Sequence, residues 1–345
     1  MYILKNIFII ILCVLFVSAC NNGQEQRELS LIETDTPPVA HTLNMKDTVG
    51  NSDSCASSRL KILFIGDVLL DRGVRKWIER KGVEWLFEGV KDEFHRADAV
   101  VINLECPLTD TISAINKKYI FRAEAKWAKD LKKVGVTHAA MSNNHTNDQG
   151  RRGLQATNHH LLKAGIVPIG YGMNTQEQVR PAIIEKDGIR VAVFNSVAFP
   201  LENWMHLENR PGICQLNPRS LSKEIKKYKS ENKNTFIVVV LHWGIEFQSL
   251  PTRMQRGDAH LLAESGADVI IGHHPHVLQP VDTINHTPVY YSIGNFVFDQ
   301  SPSIARKSVI ASVEFSKNGV VASDIIPITI EQCRPIRGNR VAIEN

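Results

Sequence analysis

Seven side chains of the kinds that hold metals or move protons stand just after short apolar runs: Asp67, Glu105, Asn144, His145, His242, His273 and His276. Carboxylate, amide oxygen and neutral imidazole together suit borderline divalent ions such as manganese, zinc or iron. Two such ions bridged by one carboxylate would clamp a phosphate and activate water for in-line attack. The densest signal is His273-His274-Pro275-His276, three imidazoles within four residues. Singly, each residue has an ordinary reading: Asp67 as a turn or helix cap, Glu105 as a strand end, His242 as a hydrogen-bonded histidine near the core. Jointly they point to a metal or anion site. Arg122 offers a bidentate fork for an anionic group, although an exposed arginine is the ordinary reading. Asn295, after another apolar run, is a second substrate-binding candidate. No Gly-rich phosphate loop, GxSxG elbow or HExxH occurs in the sequence, which counts against nucleotide kinases, serine hydrolases and zinc proteases.

The elements that must position these groups are short. Leu60–Ile65, Ala99–Ile102, His138–Met141, Phe236–Leu241, Val269–Ile271 and Val289–Ile293 read as strands buried on both faces. Amphipathic stretches of helical length lie between them: Val74–Lys81, Glu124–Val134, Gly150–Ala164, Pro218–Lys229 and Thr252–Ser265. Such alternation predicts an α/β layered fold. Leu278–Ser316 holds strand-like runs with few helical ones, which predicts a mixed or antiparallel portion. Ligands of open α/β sheets gather beyond the carboxyl ends of the strands, where the candidate residues fall. With no internal repeat and no second linker, residues 59–345 read as one domain.

The chain has 345 residues, 43% of them hydrophobic and 22% charged, an ordinary globular composition that excludes collagen, a wholly disordered chain and a polytopic membrane protein. A net charge of +4 gives no broad electrostatic case for a nucleic-acid partner. Met1–Cys20 begins with one cation, Lys5, and an apolar run short for a membrane span. Its end, Val17-Ser18-Ala19-Cys20, resembles a bacterial lipoprotein signal in which Cys20 becomes the lipidated N-terminus. An uncleaved membrane anchor is the other reading, and both place the bulk of the chain outside the cytoplasm. Residues 21–58, rich in Asn, Ser, Thr, Asp and Pro, read as a disordered tether. Cys55, Cys106, Cys214 and Cys333 remain beyond the signal; their pairing is open, and none forms CxxC.

Seven motifs, in order, carry a family resemblance: GDVLLDRGV (Gly66–Val74), NLECPLTD (Asn103–Asp110), FRAEA (Phe121–Ala125), SNNHTNDQG (Ser142–Gly150), HWGIEF (His242–Phe247), IGHHPHVLQ (Ile271–Gln279) and YSIGNFVFDQ (Tyr291–Gln300). Over roughly Leu60–Val309 the chain resembles the poly-γ-glutamate capsule synthesis protein CapA family. That family is similar in turn to the calcineurin-like metallophosphatases, whose fold is a layered β-sandwich flanked by helices. The resemblance implies Asp67 as a ligand of the first metal, Glu105 as the bridging carboxylate, and Asn144 and His242 as ligands of the second. It implies His145 as the catalytic acid or orienter near the leaving group, with His273 and His276 closing the two sites. Three departures bear on this. Asp67 is followed by Val68-Leu69 rather than by x-His, the bridging position is Glu rather than Asp, and the last pair is His-x-x-His. The choice between His273 and His274, and between two ions, one ion or an anion pocket, stays open here.

The resemblance and the signal together lead to two expectations. The first is an exported, lipid-anchored component in synthesis, export or retention of an anionic polymer, poly-γ-glutamate, working with a membrane-bound polymer synthase. The second is a metal-dependent phosphoesterase or related hydrolase acting on a phosphorylated substrate outside the cytoplasm.

Overall fold

The computed structural model describes residues 58–339 and 341–342; the expected signal, Cys20, Cys55 and the expected tether up to residue 57 lie outside the described residues. Two sheets stack face to face. The first runs in the order β16 (Arg334–Arg337), β15 (Gly319–Glu331), β14 (Lys307–Ser316), β1 (Leu60–Val68), β2 (Ala99–Leu104), β3 (His138–Ala140) and β4 (Val167–Ile169). β13 (Asn295–Val297) also pairs with β1, and β17 (Val341–Ala342) with β15. The second runs β11 (Val281–Ile284), β12 (Thr287–Tyr290), β10 (Val269–His273), β9 (Thr235–His242), β7 (Ile189–Val197) and β6 (Ala182–Lys186). A two-stranded ribbon joins β5 (Tyr171–Gly172) to β8 (Gly212–Ile213).

Strand alternation produces the layers. Leu60, Ile62 and Phe64 of β1 pack with Val238, Val240, Val269 and Ile271 between the two sheets. Leu63 and Ile65 face the other way, toward α1 (Arg72–Lys81), α2 (Val83–Phe87), α3 (Lys91–His95), α4 (Trp127–Lys133) and α5 (Gly150–Ala164). On the far side, Ile237, Val239 and Leu241 pack with Leu221 and Ile225 of α7 (Pro218–Glu231) and Leu262 of α8 (Arg253–Glu264). One turn, α6 (Thr175–Gln178), adjoins the ribbon. The result is a β-sandwich with helices on both outer faces. Both faces of β1, β2, β9 and β10 are covered, which is why their sequences are continuously apolar. Local signals set the long helices: Pro218 follows an Asn217 cap, Thr252 and Gln255 form a capping box, and Gly165 closes α5 in the left-handed region.

The strand expected over Val289–Ile293 breaks after Tyr290. Ile293 donates to Gly272 O, Gly294 takes φ +73°, and the chain crosses to the first sheet, where β13 pairs with β1 at Asp67. The antiparallel portion is larger than expected, because β14 and β15 form a long hairpin and β6 joins β7. Cys106, Cys214 and Cys333 are free thiols. Among the described residues no helix is long and apolar enough to cross a membrane.

Candidate metal centre

In each sheet the site-bearing strands are parallel, so their carboxyl ends meet at one edge. Asp67 lies level with Asn103 on β1 and β2, and His242 level with His273 on β9 and β10. Two glycines permit the crowding there. A Cβ on Gly66 would lie 2.2 Å from Gly294 O, and one on Gly272 would lie 2.0 Å from Tyr291 O, distances at which only glycine fits.

Asp67 is at the centre. Its Oδ1 accepts from Asn103 Nδ2 (2.8 Å) and lies 3.2 Å from His273 Nδ1; its Oδ2 lies 3.1 Å from His276 Nδ1. His276 Nε2 is 3.6 Å from Glu105 Oε1. Asp67, Glu105 and His276, all buried, present ligand atoms within 4.8 Å of one another. His276 Nδ1 donates to Asn295 Oδ1 (2.9 Å), so Nε2 is the nitrogen that would give up its proton and turn a lone pair to a metal. On the neighbouring flank, Asn144 Oδ1 and His242 Nε2 are 2.8 Å apart. The His274 ring lies between Phe199 (ring centroids 4.6 Å) and His242 (4.8 Å), tilted to both.

Electrostatics show what the cluster lacks. Burial and the charge of Asp67 push the Glu105 carboxyl well above the usual range. Burial alone would raise Asp67 too, but hydrogen bonding and charge from His273 and His276 hold it well below. Burial would lower His276, yet Glu105 and Asp67 outweigh it and raise the imidazole to about 9. Burial and the neighbouring imidazole lower His242 well below its ordinary value and His274 to about 3. Two buried carboxylates thus draw a positive charge to this point. Of four buried atoms here that make no well-aligned hydrogen bond, Asp67 Oδ2, Glu105 Oε1 and His273 Nδ1 have only the ionic contacts just given, and His274 Nδ1 has none. Buried polar atoms are normally satisfied, and this mixed set of oxygens and nitrogens fits a divalent cation.

Beside the cluster, His145 Nδ1 is 2.8 Å from Asp148 Oδ2, and Asp148 Oδ1 accepts from Lys117 Nζ (2.6 Å). His145 opens onto a cavity of about 150 Å³ that also meets Arg72, Glu246, Phe247, His276 and Phe298. Burial lowers His145, against the pull of Asp148. A larger cavity, about 410 Å³, lies on another side of Phe199, among Gln178, His206, Cys214, Gln215 and Asn217.

The capsule-synthesis profile described as "Bacterial capsule synthesis protein PGA_cap" matches residues 61–300. The chain belongs to the PGA_cap family. Among relatives of this PGA_cap protein is the PGA biosynthesis protein CapA of Bacillus subtilis, 31% identical over 280 residues, covering 80% of this chain and 73% of that one. The capsule biosynthesis protein CapA of Bacillus anthracis is 29% identical, covering 81% of this chain and 69% of that one. Among solved structures, a Staphylococcus aureus protein proposed to be a 5′-nucleotidase superposes with a TM-score of 0.51 at 12% identity, covering 82% of this chain and 55% of its own. That likeness places the chain in the calcineurin-like metallophosphoesterase type of fold.

In this PGA_cap member the seven residues named first, Asp67, Glu105, Asn144, His145, His242, His273 and His276, are brought together. Arg122 is not: its guanidinium donates to Thr109 O (3.1 Å) and lies 3.6 Å from Glu124, and its amide donates to Asp71. Arg72 is the arginine at the cavity, placed over the rings of Phe121 (5.0 Å) and Phe298 (5.5 Å) and paired with Asp299. Asn295 is wholly buried, so it holds His276 rather than meeting the cavity. Four site residues were not named from sequence: Arg72, Asn103, Asp148 and Glu246. Asn103 had a signal, two residues before Glu105 at the end of an apolar run, and so did Asp148, three residues after His145 in the same turn.

Proposed function

We propose that this protein is an exported, lipid-anchored component in the synthesis, export or retention of an anionic capsule polymer, poly-γ-glutamate, beside a membrane-bound synthase, and that its buried cluster is a divalent-metal centre acting on that polymer. Membership of the family and the names of the Bacillus relatives support the polymer. The signal-like Met1–Cys20 segment supports the anchor. The observation that carries the centre is the buried convergence of Asp67, Glu105 and His276, whose ligand atoms lie within 4.8 Å of one another, with four buried atoms around them that make no well-aligned hydrogen bond.

Asp67, Glu105 and His276 would hold one ion, and Asn144, His242 and His273 a second, of the manganese, zinc or iron kind. Such an ion supplies Lewis acidity and water of lowered pKa. The chain's own residues do the rest. Arg72 anchors an anionic group at the cavity mouth through donors not used on Asp299. His145, oriented by donating Nδ1–H to Asp148, presents the Nε2 lone pair to the cavity, where it would take a proton from the attacking water and pass it to the leaving nitrogen or oxygen. Phe247 and Phe298 keep bulk water from the reacting bond.

The test is elemental analysis of the purified protein and of His242→Ala, followed by incubation with poly-γ-glutamate. Transition metal that is lost in the variant, with metal-dependent shortening or retention of the polymer, is the expected result. A folded protein that takes up no metal, and holds the polymer no better than an unrelated basic domain, overturns the reading.

A second reading is a metal-dependent phosphoesterase. The small size of the cavity, about 150 Å³, favours it, since that volume suits a phosphoryl group better than a length of polymer. Phosphate release from a panel of phosphomonoesters, abolished by chelation, would select it.

A further inference from the structure

The residue two places after Asp67 is Leu69, fully buried in the apolar core beneath the first sheet. An imidazole is therefore missing from the side of the cluster where metallophosphatase-like sequences carry Asp-x-His. Across the cavity, a second group of donors faces the same point. Glu246, His274 and His276 present ligand atoms within 4.8 Å of one another. His274 is only 9% exposed, and its Nδ1 has no hydrogen-bond partner.

The backbone is bent to produce this. His274 takes φ +96° and His276 φ +58°, and Phe247, next to Glu246, takes φ +61°. These left-handed conformations disfavour side chains with a Cβ and persist where surroundings enforce them. Phe247 N donates to Pro275 O (2.8 Å), tying the Glu246 loop to the histidine loop. Three strained residues and one cross-loop bond thus converge on a carboxylate and two imidazoles.

His276 belongs to both donor groups, yet Asn295 occupies its Nδ1, so Nε2 alone is free. A single free nitrogen serves one ion, and the two groups therefore meet on it. We propose that Glu246 and His274 complete the shell of the cation faced by Asp67, Glu105 and His276, in place of the imidazole absent at Leu69. This rests on the metal centre of the preceding section and adds its outer wall. The donors are then three carboxylates and two imidazoles, a set suited to manganese or ferrous iron. Glu246 is the exposed member of the five, so the ion enters and leaves past it.

The test is Mn²⁺ binding to the full chain after dialysis against chelator, followed by the spin-resonance signal of the free ion. Glu246→Gln is expected to weaken binding about tenfold or more, the lower bound set by losses of mere outer-shell partners. Glu246→Asp keeps the charge but withdraws the carboxylate by one methylene, and it too is expected to weaken binding. Glu202→Gln, an exposed carboxylate on another loop, is expected to match the wild type. Wild-type affinity in Glu246→Gln overturns the inference while leaving the metal centre standing. So does weakening in Glu246→Gln alone, which would make Glu246 a source of field rather than a ligand. A wild-type chain that binds no Mn²⁺, with Zn²⁺ likewise refused, removes the metal centre and this inference together.

Discussion

His145 and Asp148 form a buried pair, Nδ1 to Oδ2 at 2.8 Å, with Lys117 Nζ on the other carboxylate oxygen at 2.6 Å. Asp148 is fully buried and the Lys117 side chain only 4% exposed. Removing the carboxylate strands an ammonium in the interior, so Asp148→Ala should cost about 3–5 kcal/mol. His145→Gln keeps the Lys117 pair and should cost about 1 kcal/mol. Urea denaturation of both variants separates the two roles; equal losses would show that Lys117 finds water on its own.

Asn295 fixes His276 through Nδ1 while its own amide donates to Gln300 Oε1 and Ala305 O. Asn295→Ala frees the imidazole to turn and exchange tautomers. Metal affinity should fall about 10- to 100-fold, read by competition with a chelating dye.

Arg72 is held over two aromatic rings by Asp299, and Asp299 also accepts from Gly73 N (2.9 Å). Arg72→Gln should weaken an anionic substrate's binding about tenfold or more, while Arg122→Gln should leave it unchanged. The measurement is the KM of each variant, or the Kd of a short γ-glutamyl oligomer, at matched metal content.

His138 opens β3, level with Val101 and two residues short of the strand end that bears the cluster. Burial lowers it from 6.5 to about 4. The unfolded chain therefore takes up this proton first, and the stability present above pH 6.5 is lost as pH falls toward 4. Between pH 7 and pH 5 the loss is about 2 kcal/mol. His138→Leu should remove that part of the acid sensitivity. Unfolding free energies at the two pH values, compared with the wild type, check it.

Two glycines should respond in opposite directions. Gly272→Ala drives a methyl to 2.0 Å from Tyr291 O and 2.4 Å from Trp243 Nε1, beside His273, and should cost about 3 kcal/mol or more. Gly257, inside α8, has nothing within 4 Å of such a methyl, and Gly257→Ala should stabilise by about 1 kcal/mol. Thermal melting of the pair is sufficient.

The strand ends could be read from sequence because doubly buried strands are continuously apolar and stop abruptly at a polar group. Asp67, Glu105, His242 and His273 mark such stops. What could not be read was which strands share a sheet: pairings such as β1 with β14, or β1 with β13, join residues more than 200 positions apart. The crossing after Tyr290 was hidden for the same reason, since Tyr291–Ile293 has the apolar texture of a continuing strand. Arg72 could not be named from sequence, as Arg122 was, because a lone arginine shows no sign of its direction. The structure gives Arg72 φ +52°, which turns it to the cavity, and gives Arg122 main-chain and carboxylate partners. Glu246 had no spacing to mark it, because its neighbours arrive through a loop contact.

The cluster takes Asp67 and Glu105 from one layer and His242, His273 and His276 from the other. A cation held there, as proposed, would act as a clasp across the seam of the sandwich. Its binding free energy, RT ln(1 + [L]/Kd), adds to the docking of two halves otherwise held by the apolar layer between them. Stripping the ion should therefore loosen the whole molecule: amide exchange should quicken along β1 and β9 alike, rather than only in the loops that touch the metal.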